Sequence, residues 1–145
     1  MRQFFHNDII IGYPDEWRDG SIVILLGQPQ GDYSPSITVT RDKLDGPKKP
    51  EEYAADQLPA LKNEFGIMGY EVSNEGPAKL GDNPCFERFH TFTLPETGVK
   101  VKQWQVYLCT PKEAITITSS DKVENFEKSL PVFKEAVSQL KLLKT

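Results

Sequence analysis

The sequence has few of the residues with which small domains bind metals or catalyse reactions. Only two histidines, His6 and His90, and two cysteines, Cys85 and Cys109, occur among 145 residues. Neither histidine belongs to an HExxH motif or to a Cys/His cluster with metal-ligand spacing. The sequence also contains no P-loop, no GxSxG elbow and no GxGxxG after a predicted strand. We therefore expect a protein that is not an enzyme and that has no catalytic residues, no metal and no cofactor.

The two cysteines give little support to redox chemistry. Cys85 and Cys109 both fall in strand-like segments, where two buried free thiols are favoured over a disulfide and the redox state stays open. Cys85 and His90 form the nearest thiol–imidazole pair, but their spacing on one strand predicts opposite faces and argues against a nucleophile–base dyad. Glu87 and Arg88 have opposite parity as well and are expected at solvent-exposed or rim positions.

A basic surface and a long apolar run are also missing. The net charge is -4 and the pI is about 5.2, whereas a sequence-independent grip on nucleic acid needs a basic stripe. The first residues lack the apolar stretch and cleavage site of a signal peptide, and no segment approaches the roughly 20 apolar residues that span a bilayer. The expectation is a soluble cytoplasmic chain that neither binds nucleic acid nor inserts into a membrane.

What the sequence does contain fits one domain over residues 1–145. With 38% hydrophobic residues, a chain of this length can bury roughly two thirds of its unfolded surface around one core. There is no internal repeat and no low-complexity segment.

The N-terminal third predicts strands separated by a corner. Two short strands flank a turn at residues 6–8, and a corner over Tyr13 to Gly20 leads into a strand from Ser21 to Leu26. Alternation places Ile22 and Ile24 on one face of this strand and two further aliphatic residues on the other. Both faces must therefore be covered by something.

The next segment gives the clearest strand and the first helix. From Ser36 to Arg41 the residues alternate, with Ser36, Thr38 and Thr40 on the face opposite the aliphatic ones. A helix is predicted to begin near Pro50, to be kinked or stopped early by Pro59 and to end at the glycines that follow Phe65.

The remaining elements predict a hairpin-rich second half. The predicted elements are a strand at 70–73, a loop at 74–81, a turn at 81–84, strands at 85–94, 99–109 and 114–119, a helical turn at 121–126 and a helix at 130–143. Gln103 and Gln105 share a face of the 99–109 strand opposite Trp104. The fold class is α+β, with a mostly antiparallel sheet packed by two main helices.

A face with hydroxyl and amide side chains beside aliphatic ones is the functional candidate. Its members would be Ile22, Ile24, Ser36, Thr38, Thr40, Gln103, Gln105, Thr116 and Thr118. Neutral donors and acceptors among branched apolar groups suit a partly desolvated helix, as Ser, Thr and Gln do between membrane helices. The alternative is that threonine is simply common on the exposed face of a sheet.

Several segments together resemble the DcrB-like family, whose fold is similar to that of PsbP-like proteins. They are residues 11–24, 36–42, 53–58, 105–107 and 133–140, and their order and spacing carry the resemblance. Within that family, the chain looks most like the Eag-type effector chaperones of the bacterial type VI secretion system.

The resemblance implies a homodimeric cytoplasmic chaperone that holds the N-terminal transmembrane region of a secreted effector and helps to load it onto the spike protein. Client-binding positions carried over from the family are Ile22, Ile24, Ser36, Thr40, Gln57 and Gln105, while Thr38 and Gln103 are added from strand parity. The alternative is a general DcrB- or PsbP-like binding or accessory module without enzymatic activity.

Overall fold

Two helices pack on a mostly antiparallel sheet, which confirms the predicted α+β class. The computed structural model describes residues 1–143, and the predicted domain's residues 144 and 145 lie outside them. The elements are β1 (Arg2–His6), β2 (Ile9–Tyr13), β3 (Val23–Leu26), β4 (Ser36–Lys43), α1 (Pro50–Phe65), β5 (Glu71–Leu80), β6 (Asn83–Thr93), β7 (Lys100–Cys109), β8 (Glu113–Lys122) and α2 (Val123–Ser138). The main sheet has the order β3-β4-β8-β7-β6-β5, and β1 and β2 form a separate hairpin.

One face of the main sheet is covered by α2 and carries the larger core. Phe126, Phe133 and Val137 of α2 are buried against a cluster that includes Trp104 and Ile117. The helix can cover this face because its apolar residues recur at helical spacing while alternate residues of β7 and β8 point toward it.

The opposite face is covered only in part, because α1 packs mainly on β6 and β7. Tyr53 and Ala54 of α1 are buried with Tyr107 and Ala114 in a second, smaller core. The first turn of α1 is stabilised by Glu52, whose carboxylate accepts a hydrogen bond from the backbone N–H of Lys49 at 3.1 Å. The parts of this face that belong to β8, β4 and β3 are left without a helix over them.

Of the two effects predicted for Pro59, a kink or an early stop of α1, the early stop is wrong. The helix continues to Phe65, followed by a 3₁₀ turn from Gly66 to Met68, and ends at Gly69 with φ of 72°. Pro59 lies on the exposed side of α1, where the loss of one backbone donor is tolerated. Gln57 and Phe65 therefore lie on one continuous helix, on either side of Pro59.

The predicted loop at residues 74–81 is also wrong, since these residues belong to β5 up to Leu80. β5 pairs with β6 on one side and forms the edge of the sheet, with a register shift between Val72 and Asn74. Gly76 and Pro77 suggested a loop, but an edge strand accepts a proline because its outer N–H groups need no partner.

The C-terminal segment forms one helix where two pieces were predicted. α2 runs from Val123 through Pro131 to Ser138 and ends before Leu143, which is 87% exposed. Asp121 lies on β8, where its carboxylate accepts hydrogen bonds from the Lys122 N–H and the Ser129 hydroxyl. This carboxylate joins the end of the strand to the second turn of the helix.

The N-terminal hairpin and β3 bury few of their apolar side chains. The exposed members are Phe5, Ile9, Ile10, Ile11, Val23, Ile24, Leu25 and Leu26, and Ile22 just before β3 is exposed as well. On β3 both faces are open, with Ile24 62% and Leu25 57% exposed. Within residues 1–143, α1 and α2 are too short and too polar to cross a bilayer.

Candidate functional site

An open groove of about 390 Å³ lies between α1 and the strands β4, β8 and β7. Five of the predicted client-binding residues line it, namely Thr38, Thr40, Gln57, Gln103 and Gln105. The remaining lining side chains are Asp42, Tyr53, Leu61, Glu64, Phe65, Tyr107, Thr116 and Thr118. The groove is therefore mixed, with mainly hydroxyls and amides on the strands and both apolar and polar side chains on the helix.

The strand register explains why these side chains meet. Ile24 pairs with Thr38, Thr38 with Thr118 and Thr118 with Gln105, so the four form one row across β3, β4, β8 and β7. Paired residues of an antiparallel sheet point to the same side, and the row therefore faces α1 throughout.

Ser36 and Ile24 share this face but, like Ile22, lie outside the groove lining. Ser36 pairs with Ser120, next to Gln103, and is half-buried. Ile22 precedes β3 by one residue and, like Ile24, is largely exposed at 61%. The groove thus continues onto an uncovered aliphatic edge.

The helix residues of the groove follow a spacing of four. One face of α1 carries Tyr53, Gln57, Leu61 and Phe65 on successive turns, and this face lines the groove. That spacing is visible in the sequence, although Tyr53, Leu61 and Phe65 were not predicted as site residues. Neither were Asp42 and Glu64, which supply the charged groups of the lining.

A buried arginine anchors the floor of the groove, contrary to its predicted rim position. Arg88 is 1% exposed and donates hydrogen bonds to the Glu75 carboxylate at 2.8 Å, to Tyr107 Oη at 3.0 Å and to the Ala54 carbonyl at 3.1 Å. Burial lowers the pKa of Arg88, but the hydrogen bond to Glu75 and the nearby Tyr107, Glu75 and Tyr70 together outweigh this effect, and the net shift is upward. Arg88 therefore remains charged and ties β5, β7 and α1 together.

The Gln105 amide is held from both ends by its neighbours. Tyr107 Oη donates to Gln105 Oε1, and Gln105 Nε2 donates to Thr118 Oγ1 at 3.1 Å. Burial raises the pKa of the Tyr107 hydroxyl, which keeps its proton available for donation. A side chain predicted to bind a client thus already has a fixed orientation.

A second polar chain runs beneath the other end of the groove. His90 is fully buried, and its ring nitrogens lie 2.9 Å from Tyr70 Oη and 2.7 Å from Gln103 Oε1. Since the Gln103 oxygen can only accept, His90 Nε2 carries the proton and Nδ1 accepts from Tyr70. Burial lowers the pKa of His90 and raises that of Tyr70 to about 12. Gln103 is thereby held by a neutral imidazole.

The predicted separation of Cys85 and His90 is confirmed. Cys85 lies in the core on the α2 side, whereas His90 points to the α1 side. Burial also raises the pKa of the Cys85 thiol to about 11, so it is protonated at neutral pH. Both cysteines are free thiols, and residues 1–143 contain no group of three or more His, Cys, Asp or Glu that could hold a metal ion.

A smaller, mostly apolar pocket of about 350 Å³ opens on the α2 side of the sheet edge. Leu25, Ile37, Val132 and Phe133 contribute to its lining. The two exposed faces of β3 therefore border different surfaces, the groove on one side and this pocket on the other.

Comparison with solved structures identifies similar folds. A Pseudomonas aeruginosa protein of unknown function is 18% identical, with a TM-score of 0.81 over 100% of this chain and 99% of that one. The cyanobacterial PsbP of Synechocystis sp. PCC 6803 is 10% identical, with a TM-score of 0.58 over 98% and 92% of the two chains. These likenesses bear out the PsbP-like fold. Among curated protein sequences, no match was found.

The sequence itself gives a family. The DcrB family model matches residues 10–139, which include both helices and β3 to β8 entirely, and it covers every predicted client-binding residue. The chain belongs to the DcrB family and is a DcrB domain with a PsbP-like fold.

Proposed function

We propose that this protein is a cytoplasmic chaperone that shields the N-terminal transmembrane helices of a type VI secretion effector and helps to load it onto the secretion spike. The observation that supports the proposal is the row from Ile24 to Gln105, which joins an exposed aliphatic strand to a groove of hydroxyls and amides. The mechanism makes no covalent bond and depends on covering apolar surface.

The uncovered part of the sheet has the width of one helix. From β8 to β3 there are two strand spacings, or roughly 10 Å at about 4.8 Å each. A helix with its side chains is about 10–12 Å across. An apolar helix of the effector, hereafter the client, would therefore lie beside α1 as a second helix on this face.

The side chains in and beside the groove suit a transmembrane helix. Leu61 and Phe65 on α1, and Ile24 on β3, would contact its apolar residues, while Gln57 and Gln105 would bond to its polar or small-residue positions. Water penalises exposed apolar surface by about 25 cal/mol per Å². A client held here would avoid that penalty without entering the membrane of the producing cell.

A second copy of the chain would cover what the client does not. The hairpin exposes Phe5 and Ile10, and the α2-side face of β3 exposes Leu25, at a free sheet edge. Exposed apolar edge strands pair readily with other chains. We therefore propose a homodimer joined through these residues, in which two grooves act on one effector and raise the overall affinity by linkage.

A direct test uses a helical Leu/Ala peptide flanked by lysines as the probe, together with size-exclusion light scattering. The proposal expects a dimer that retains the peptide in a pull-down. The alternative, a general DcrB- or PsbP-like accessory module, expects a monomer with no affinity for an isolated apolar helix. A monomer that retains no peptide would reject the chaperone.

A further inference from the structure

A chain of hydrogen bonds leads from Arg88 through Tyr107 and Gln105 to Thr118, and in each bond the residue nearer to Arg88 is the donor. Arg88 Nη1 can only donate, so Tyr107 Oη accepts from it at 3.0 Å and directs its single proton to Gln105 Oε1. Gln105 Nε2 then donates to Thr118 Oγ1 at 3.1 Å. Each step fixes the role of the next group.

This donor order along the relay from Arg88 to Thr118 decides which hydrogen-bonding groups Gln105 and Thr118 can offer to a ligand. With its carbonyl oxygen engaged by Tyr107, Gln105 has its second Nε2 hydrogen to offer to the groove. Thr118 has accepted a bond from Gln105, so its own hydroxyl hydrogen is also available on that side. The opposite orientation of the amide would place its NH₂ group against the Tyr107 hydroxyl, which already accepts from a charged guanidinium.

We propose that the Arg88–Tyr107 relay makes the Gln105–Thr118 part of the groove a hydrogen-bond donor surface, and that this part selects apolar helices presenting an acceptor, such as an ether, hydroxyl or carbonyl oxygen, to Gln105 and Thr118. Tyr107 is a positioning residue, since it acts on the ligand through the Gln105 amide. This inference rests on the proposed function, because it specifies the chemistry of the helix that the same groove holds.

The test uses two isosteric probe peptides in the Leu/Ala host helix flanked by lysines. One carries O-methylserine, which accepts a hydrogen bond but cannot donate one, and the other carries norvaline, which can do neither. The substituted position is moved through two turns of the helix so that every face meets the groove. Affinities are measured by fluorescence anisotropy.

The wild-type protein is expected to bind the best-placed O-methylserine peptide roughly 2–10-fold more tightly than its norvaline counterpart, as one neutral hydrogen bond allows. Gln105→Leu should lower this ratio, because only the Thr118 hydroxyl then remains as a donor. Tyr107→Phe removes only the hydroxyl that orients Gln105 and should reduce the ratio, but should change nothing further in a Gln105→Leu background. A general loss of stability would lower both affinities without changing their ratio.

Three results would count against the inference, and they are distinguishable. If the wild type binds both peptides equally at every position, the donor surface is rejected while the chaperone stands. If neither peptide binds, the proposed function fails, and this inference fails with it. Retention of the full ratio in Tyr107→Phe would reject the positioning role of Tyr107.

Discussion

Ile24 and Gln105 lie on one row of the sheet, three strands apart, with Thr38 and Thr118 between them. The row changes character along its length, from an exposed aliphatic edge to a buried amide whose hydrogen bonds are fixed. A helix lying across it would meet apolar contact at one end and hydrogen-bond donors at the other. Four predictions test the stability of this surface, its pH dependence, its assembly and its role.

Arg88→Met should lower the free energy of unfolding by about 2–4 kcal/mol, because it leaves the buried Ala54 carbonyl and Tyr107 hydroxyl without their donor. The matched variant is Glu75→Gln. The substituted amide oxygen can still accept from Arg88 Nε, and Glu75 itself is 40% exposed, so this change should cost clearly less than Arg88→Met. Urea unfolding measures both, and equal costs would show that the ion pair, not the buried donors, stabilises the site.

Protonation of His90 should destabilise the fold. Burial holds the pKa of His90 below its ordinary 6.5, the bond to Gln103 opposes this shift, and Arg88 adds to it. The folded state thus takes up this proton less readily than the unfolded state. The free energy of unfolding contributed by His90 should be complete above pH 6.5 and should fall below it, by at most about 1.4 kcal/mol per pH unit.

The pH experiment has a matched control in the same chain. His90→Gln should remove the loss of stability below pH 6.5 that His90 causes, whatever its effect on absolute stability. His6→Gln, in the exposed hairpin, should keep the wild-type slope. Urea unfolding across this pH range measures the slopes, and an unchanged slope in His90→Gln would contradict the prediction.

Leu25→Asp should convert the proposed dimer into a monomer, since it places a charge on the exposed α2-side face of β3. Ile67→Asp is the control, because Ile67 is 94% exposed on the 3₁₀ turn between α1 and β5, at the opposite edge of the sheet from β3. Size-exclusion light scattering should give half the wild-type mass for the first variant and the wild-type mass for the second. A monomeric wild type would remove the basis for this assembly.

The central strands could be predicted from the sequence because both of their faces are constrained. On β7, Gln103 and Gln105 face α1 while Trp104 and Val106 face α2, as alternation predicts. The edge was harder to predict, since Gly76 and Pro77 of β5 have the composition of a loop and need fewer partners than a central strand. Propensity was overridden in α2 as well, where packing of Phe126 and Phe133 keeps the helix continuous through Pro131.

In the candidate site, only the face on which each strand residue lies could be predicted, because alternation along a strand determines that face. Parity indicated that Thr38, Thr40, Gln103 and Gln105 face a common side, and the register brings them together. The position of Arg88 under the groove was not predictable in this way, because its partners Glu75, Ala54 and Tyr107 come from three other elements. Contacts of this kind depend on how α1 docks, which alternation does not encode.

The most direct test of the central claim is recovery of an effector fragment with its N-terminal transmembrane segments, co-expressed with the wild-type chain, with Ile24→Asp and with Ile67→Asp. Both isoleucines are exposed, at 62% and 94%, so neither substitution should impair folding. The account predicts that the wild type and Ile67→Asp keep the fragment in a soluble complex, whereas Ile24→Asp leaves it aggregated or in the membrane. Equal recovery with Ile24→Asp, or failure of the wild type to hold any such fragment, would contradict it.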